Sequence, residues 1–116
     1  MIDKKQQFLL AFQRFAEAID QPKNSFMRDS AIQRFEFCID LAWKSLQQIL
    51  YSEHGIRVNS PKETIRIAYE NQLIHEPEKW LSMIDDRNLT SHTYDEELAE
   101  QIYVRLSEHL RVLKTL

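Results

Sequence analysis

Phe8, Phe12, Phe15 and Ile19 recur at spacings of 4, 3 and 4, which places them on one stripe of a helix. A strand would alternate every second residue, and this stretch does not. Gln21-Pro22-Lys23-Asn24 ends that helix. A second begins between Asn24 and Ser30 and runs to about Glu53, because Ile32, Phe35, Ile39, Ala42, Leu46 and Ile49 step by 3, 4, 3, 4 and 3. This near-heptad suits antiparallel bundle packing. Phe37, Leu41 and Trp43 widen the apolar surface beyond one stripe, so the helix is expected to touch several partners or a second subunit. His54-Gly55 supplies the stop, with glycine suited to a left-handed position.

Ser60-Pro61-Lys62-Glu63 combines a capping serine, a proline at the first helical position and a glutamate placed to close a capping box. The third helix then reaches about Gln72, with Ile65, Ala68 and Tyr69 inward. Pro77 opens a fourth, whose core face includes Trp80, Leu81 and Ile84. Thr93 and Glu96 read as another capping box before a last helix with Leu98, Ile102, Leu106, Leu110 and Leu113 on one face. The expected fold is all-α, an up-and-down antiparallel bundle of four main helices and a shorter one. It forms a single domain over residues 1–116, without repeats or low-complexity tracts.

Composition changes this picture little. Hydrophobic residues make up 43% and charged residues 28%, and there is one glycine, which argues against disorder and against glycine-loop architectures. Neither a membrane span nor a secretory signal is legible. The single Cys38 makes a several-cysteine zinc site impossible, and the cytoplasm is the default compartment. Cys38, between Phe37 and Ile39, reads as a buried structural thiol. His75 and His109 lack ligand-spaced partners, so no metal site is expected.

Charge is uneven. Residues 1–58 carry 8 basic and 7 acidic side chains, and residues 59–116 carry 7 and 11. Between Glu76 and Glu100 stand 8 acidic residues against Lys79 and Arg87. A broad non-specific nucleic-acid surface needs the opposite sign, so any RNA contact should be local.

Familiar catalytic signatures are absent: no phosphate-cradling glycine loop, no HExxH, no di-iron carboxylate set. The exception is the run from Asp85 to Tyr94, which gathers a cation, an amide, an imidazole and a phenol at a helix-to-helix junction. Arg87 can hold a phosphate bidentately, and His92 can move protons during attack of a ribose 2′-hydroxyl on the adjacent phosphate; Asn88 can orient the imidazole or a ligand. Such cleavage needs no metal. On one ideal helix Arg87 and His92 stand roughly 140° apart, so a redirected junction or a second copy is needed to aim both at one point. The bland alternative is a cap at Thr93, a solvated Arg87, a His92 that ties the junction, and a Tyr94 packed on Trp80 or Phe35.

Arg87, four residues, His92, one residue and Tyr94 match the R-x4-H-x-Y signature of prokaryotic HEPN proteins. The stretch from Arg28 to Phe37, followed by Leu41-Ala42-Trp43-Lys44, and the run from Arg87 to Asp95 resemble the subgroup called nucleotidyltransferase substrate-binding proteins, over essentially the whole chain. The resemblance implies a bundle related to the C-terminal domain of aminoglycoside nucleotidyltransferases. It implies a homodimer that associates with a separately encoded minimal nucleotidyltransferase, often two plus two subunits. ATP or another NTP, with Mg, would belong to that partner, and no cofactor to this chain. On this reading the chain is a non-catalytic substrate-binding and interaction subunit.

Related HepT-like toxins of type VII toxin–antitoxin pairs imply an alternative. There the residues matching Arg87 and His92 belong to a metal-independent RNase, and the tyrosine matching Tyr94 is AMPylated by the partner to silence it. A third possibility is a structural helical adaptor. Arg28, Arg34 and Asp85 are the expected substrate- or partner-binding residues, with Arg28, Arg34, Glu36 and Asp40 able to form a buried ion network instead.

Overall fold

The computed structural model describes residues 3–116. Five α-helices follow in order: α1 (Lys4–Ile19), α2 (Ser25–His54), α3 (Pro61–Glu70), α4 (Pro77–Leu89) and α5 (Glu96–Lys114). A short 3-10 turn, Thr90–His92, joins α4 to α5, and no strand occurs among the described residues. At 1.5 Å per residue, the 30 residues of α2 account for the molecule's longest dimension of 44 Å. The bundle is assembled around this helix, which packs against every other one.

The helix limits have local causes. Asp3 caps α1 by accepting from the Gln6 N–H at 2.8 Å while the Gln6 side chain accepts from the Asp3 N–H at 3.1 Å, a capping box that the sequence reading did not single out. Asn24 caps α2 by accepting from the Met27 N–H. Ser60 accepts from the Glu63 N–H at 3.4 Å, with Pro61 in the first turn as expected, but the return bond from the Glu63 side chain that would close the expected box does not form. The box expected at Thr93 does not form. Asp95 is the cap of α5, accepting from the Glu97 and Leu98 N–H groups, while Thr93 Oγ1 donates to the Thr90 carbonyl. A carboxylate directly before the helix reaches its free N–H groups, whereas Thr93 is consumed in closing the preceding turn.

Gly55 adopts φ 66°, and its N–H and that of Ile56 bond back to the carbonyls of Tyr51 and Leu50. A Cβ at Gly55 would meet nothing within 4 Å, so the cost of substitution is backbone strain alone. Gly55→Ala is expected to destabilise by about 1 kcal/mol, checked by urea denaturation; an unchanged midpoint would refute the assignment.

The core follows the predicted stripes. Phe8 and Phe15 of α1, Ile32, Phe35, Ile39, Ala42 and Leu46 of α2, Trp80 and Ile84 of α4, and Ile102, Leu106 and Leu113 of α5 are buried. Cys38 is buried among them, and loss of solvent pushes its thiol up to about 12, which suits an inert packing group. Tyr69 departs from expectation: Ile65 and Ala68 are buried, but the tyrosine is half exposed. On α3, its 100° step from Ala68 carries it past the edge of a narrow buried face.

Candidate functional site

The junction between α4 and α5 is where the sequence placed its chemistry, and the last turn of α4 is anchored before the polar cluster begins. Asp86 is buried. It accepts from Arg105 Nε at 2.8 Å and Nη2 at 2.7 Å, and its Oδ2 lies 2.7 Å from His109 Nε2. An ionised carboxylate can only accept, so this ring nitrogen carries the hydrogen. Burial by itself would raise the Asp86 pKa, but the bonds from His109 and Arg105 hold it below the ordinary aspartate value. The His109 ring stacks on Phe35 at 5.0 Å, tying α4, α5 and α2 together. The sequence reading missed this triad, although Asp86, Arg105 and His109 lie on two helices already assigned.

One residue on, Arg87 points to α2 instead. Its Nε and Nη2 donate to the two carboxylate oxygens of Asp40 at 2.9 and 3.0 Å, with Glu36 Oε1 3.6 Å from Nη2. The pairing with Asp40, and the nearby charge of Glu36, raise the Arg87 pKa further. Asn88 is exposed beside it, in a hollow of about 290 Å³ shared with Trp43, Lys44 and Pro61. A second hollow, of about 480 Å³, is lined by Glu36, Gln33 and the threonines Thr90 and Thr93.

The 3-10 turn settles where His92 stands. Thr90 Oγ1 donates to the Arg87 carbonyl at 2.7 Å, closing α4 and leading the chain into the tighter turn. From Arg87 to Leu89 the chain advances about 200°, and three 3-10 residues add roughly a full revolution. On ideal geometry these steps set His92 about 200° from Arg87, against about 140° on an unbroken helix. It is exposed, with its ring 6.1 Å from that of Tyr94 in an edge-on arrangement. Tyr94 is 82% exposed, so it does not pack on Trp80 or Phe35. The structure thus unites Arg87 with two α2 carboxylates, sets Asn88 beside Asp40 in one hollow, and unites His92 with Tyr94. It gives no hydrogen bond between the two groups among the described residues.

The other expected binding residues separate. Arg28 is 3% exposed; its Nη1 donates to Glu96 at 2.8 Å and Glu100 at 3.1 Å, and its Nε to Asp29 at 3.0 Å. These bonds raise its pKa and make it a clamp between α2 and the start of α5, so it is not an open ligand group. Arg34 donates to the Arg14 carbonyl of α1 at 2.8 Å and, one face away from Glu36, lines a groove of about 570 Å³ with Leu10 and the half-exposed Phe37. Asp85 is exposed and pairs with Lys62 Nζ at 2.7 Å. Much of the acidic stretch is likewise spent internally: Glu76 on Arg111 and Lys79, Asp86 on Arg105, Glu96 on Arg28, and Glu100 on Arg28 and Lys23.

Among the described residues no group of three or more His, Cys, Asp or Glu is placed to hold a metal ion. No helix among them is long and apolar enough to cross a membrane.

A family model described as nucleotidyltransferase substrate binding protein like matches residues 3–116. The chain is 38% identical over 84 residues to a curated protein of Haemophilus influenzae named as a probable ribonuclease HepT, covering 69% of this chain and 58% of that relative's length. It superposes on the crystal structure of a Thermus thermophilus protein with a TM-score of 0.87, at 38% identity and over 92% of both chains. With a second structure the TM-score is 0.72 at 30% identity, over 96% of this chain and 91% of the other. That protein, from Haemophilus influenzae, is described as revealing the fold of a substrate binding domain of a nucleotidyltransferase.

Proposed function

The chain belongs to the nucleotidyltransferase substrate-binding-like family, and from that membership we propose that it is the non-catalytic substrate-binding and interaction subunit of a two-component nucleotidyltransferase system. The observation that carries this reading is the family match across residues 3–116. The geometry supports it in two ways. Arg87 is already engaged by Asp40 and Glu36, and the exposed pair of His92 and Tyr94 presents an imidazole and a phenol at a corner of the bundle, open to a second protein. On this reading a homodimer joins a separately encoded minimal nucleotidyltransferase as two plus two subunits in the cytoplasm. The partner brings ATP or another NTP and Mg.

Co-expression with that partner is the test. A stable complex is expected of this reading; transfer of labelled nucleotide to this chain, lost in Tyr94→Phe, would instead support the HepT-like toxin reading. Failure of the two chains to co-purify would overturn the substrate-binding reading.

A second reading is favoured by one specific observation, the 38% identity to a probable ribonuclease. If the complete R-x4-H-x-Y set acts on RNA, Arg87 and His92 are the catalytic pair, with Asn88 supporting. Within one chain Arg87 is engaged by Asp40 and lines a hollow that does not include His92, so on this reading the pair is completed across two copies. Expression of the chain alone, wild type beside His92→Ala, separates the readings. Normal growth with intact total RNA is expected of a binding subunit. Growth arrest with RNA cleavage, both lost in His92→Ala, would transfer the assignment to the ribonuclease.

A further inference from the structure

The pairing of charges leaves a remainder that net charge conceals. Of the fifteen Lys and Arg side chains, eight stand within 4.0 Å of an Asp or Glu side-chain oxygen among the described residues: Lys23, Arg28, Arg34, Lys62, Lys79, Arg87, Arg105 and Arg111. Three of the remaining seven, Lys4, Lys44 and Arg57, converge on one groove of about 600 Å³ between the start of α1, the second half of α2 and the segment that follows Gly55. No carboxylate lines it among the described residues. In a chain of net charge −3 that is a local reversal of sign.

The groove is built, not merely lined. The left-handed Gly55 turns the chain so that residues 56–59 run back along α2. Val58 is then buried, and its carbonyl accepts from Gln47 Nε2 at 2.7 Å, which fixes the wall. Arg57 folds onto the half-exposed Tyr51, its guanidinium carbon 4.9 Å from the ring centroid and Nη2 donating to the phenol oxygen at 3.3 Å. An arginine held over an aromatic ring, with no carboxylate to occupy it, keeps its remaining donors for an external anion. The exposed amides of Gln48 and Asn59 border the same space.

We propose that this groove is a nucleotide-binding site separate from the Arg87 junction. Lys4, Lys44 and Arg57 hold phosphate oxygens, the Tyr51–Arg57 stack offers a platform for a base, and Gln48 and Asn59 hydrogen-bond its edge or the ribose. Its volume is in the range of small-ligand sites. Nucleotide phosphates reach it from either of two sources, a free nucleotide or the backbone of a single strand. Lys44 also borders the hollow beside Arg87 and Asn88, so a strand seated here leads toward the junction. The proposal does not require that the junction cleave anything.

The test is binding by fluorescence anisotropy to the full chain carrying His92→Ala, so that no probe is cut, with two probes: a fluorescein-labelled RNA 12-mer and a fluorescent N-methylanthraniloyl ATP. Arg57→Glu is expected to weaken binding about tenfold or more. Tyr51→Ala should cost about fivefold or more, with Tyr51→Phe within about twofold. Lys114→Glu removes a cation outside the groove that likewise has no carboxylate within 4.0 Å, and should change affinity by less than about twofold. Strand binding whose log affinity falls with log salt at a slope of about −2, as three phosphate contacts to a single strand require, assigns the strand as source. Binding of the ATP probe, weakened by Arg57→Glu, assigns the free nucleotide. Binding of neither probe at low salt overturns the proposal, as does equal weakening by Lys114→Glu and Arg57→Glu. Arg57→Ala serves in place of the reversal if the latter does not fold.

Discussion

Asp86→Ala should lower the urea midpoint at neutral pH by the equivalent of about 3 kcal/mol, with little change in slope. The carboxylate is buried and is the partner of both Arg105 and His109. Removing it strands a buried imidazole whose Nε2 hydrogen has no replacement acceptor in view, and such a loss costs far more than an exposed pair. Arg105 is 41% exposed and can turn to water, so the effect belongs at the low end of the range for broken buried pairs. Asp86→Asn keeps the shape and an acceptor oxygen and should lose less.

The pH dependence has a definite sign. The folded-state pKa of Asp86 is depressed, so its contribution is complete above the unfolded aspartate value of about 3.9 and drains away as pH falls below it. Wild type should therefore lose stability toward Asp86→Asn in acid, and the gap between them should close below that point. A gap unchanged between pH 7 and pH 3 would refute the assignment. The consequence reaches function, because Asp86 anchors the helical turn that carries Arg87 and Asn88.

Phe35→Ala should be the more damaging change, at about 3–5 kcal/mol. Phe35 is fully buried at the middle of the bundle, 5.9 Å from Phe15 of α1 and 5.0 Å from the His109 ring. Truncation leaves a cavity that three helices would have to collapse to fill. Since Phe35 stacks on the face of the His109 ring and Asp86 bonds its edge nitrogen, the double variant should depart from the sum of the singles by at least about 0.5 kcal/mol. Additivity within error would show that His109 does not couple them. Calorimetry on the four proteins gives both answers.

The junction illustrates how spacing can be legible while direction is not. Arg87, Asn88, His92 and Tyr94 are visible as a motif from their types and intervals alone. Whether they converge depends on three residues, Thr90–His92, whose hydroxyls and tight turn set the rotation of everything after them. The misplaced cap at Thr93 has the same origin: Thr93 and Asp95 are both good caps by type, and the winner is decided by what the previous turn has already consumed. Hydrophobicity turns Tyr69 inward and allows the same for Tyr94, yet a phenol at the edge of a stripe keeps its hydroxyl in water at little cost.

By itself the sequence determined the number, order and approximate limits of the helices, because period, Pro and Gly positions and capping residues are local properties. It also determined the stripes that bury, including Phe15, Phe35, Trp80 and Leu106. The family was legible from the two motif blocks. What only the tertiary structure decided is which charges meet. Arg28 on Glu96 and Glu100, Arg87 on Asp40, Asp86 on Arg105 and His109 are contacts between residues 19 to 72 positions apart. Ion pairing depends on a few ångströms of distance between helices, which no count of charges along the chain contains. That is why an acidic sequence can fold into a protein in which many carboxylates are paired and three cations without a carboxylate partner, Lys4, Lys44 and Arg57, share one groove.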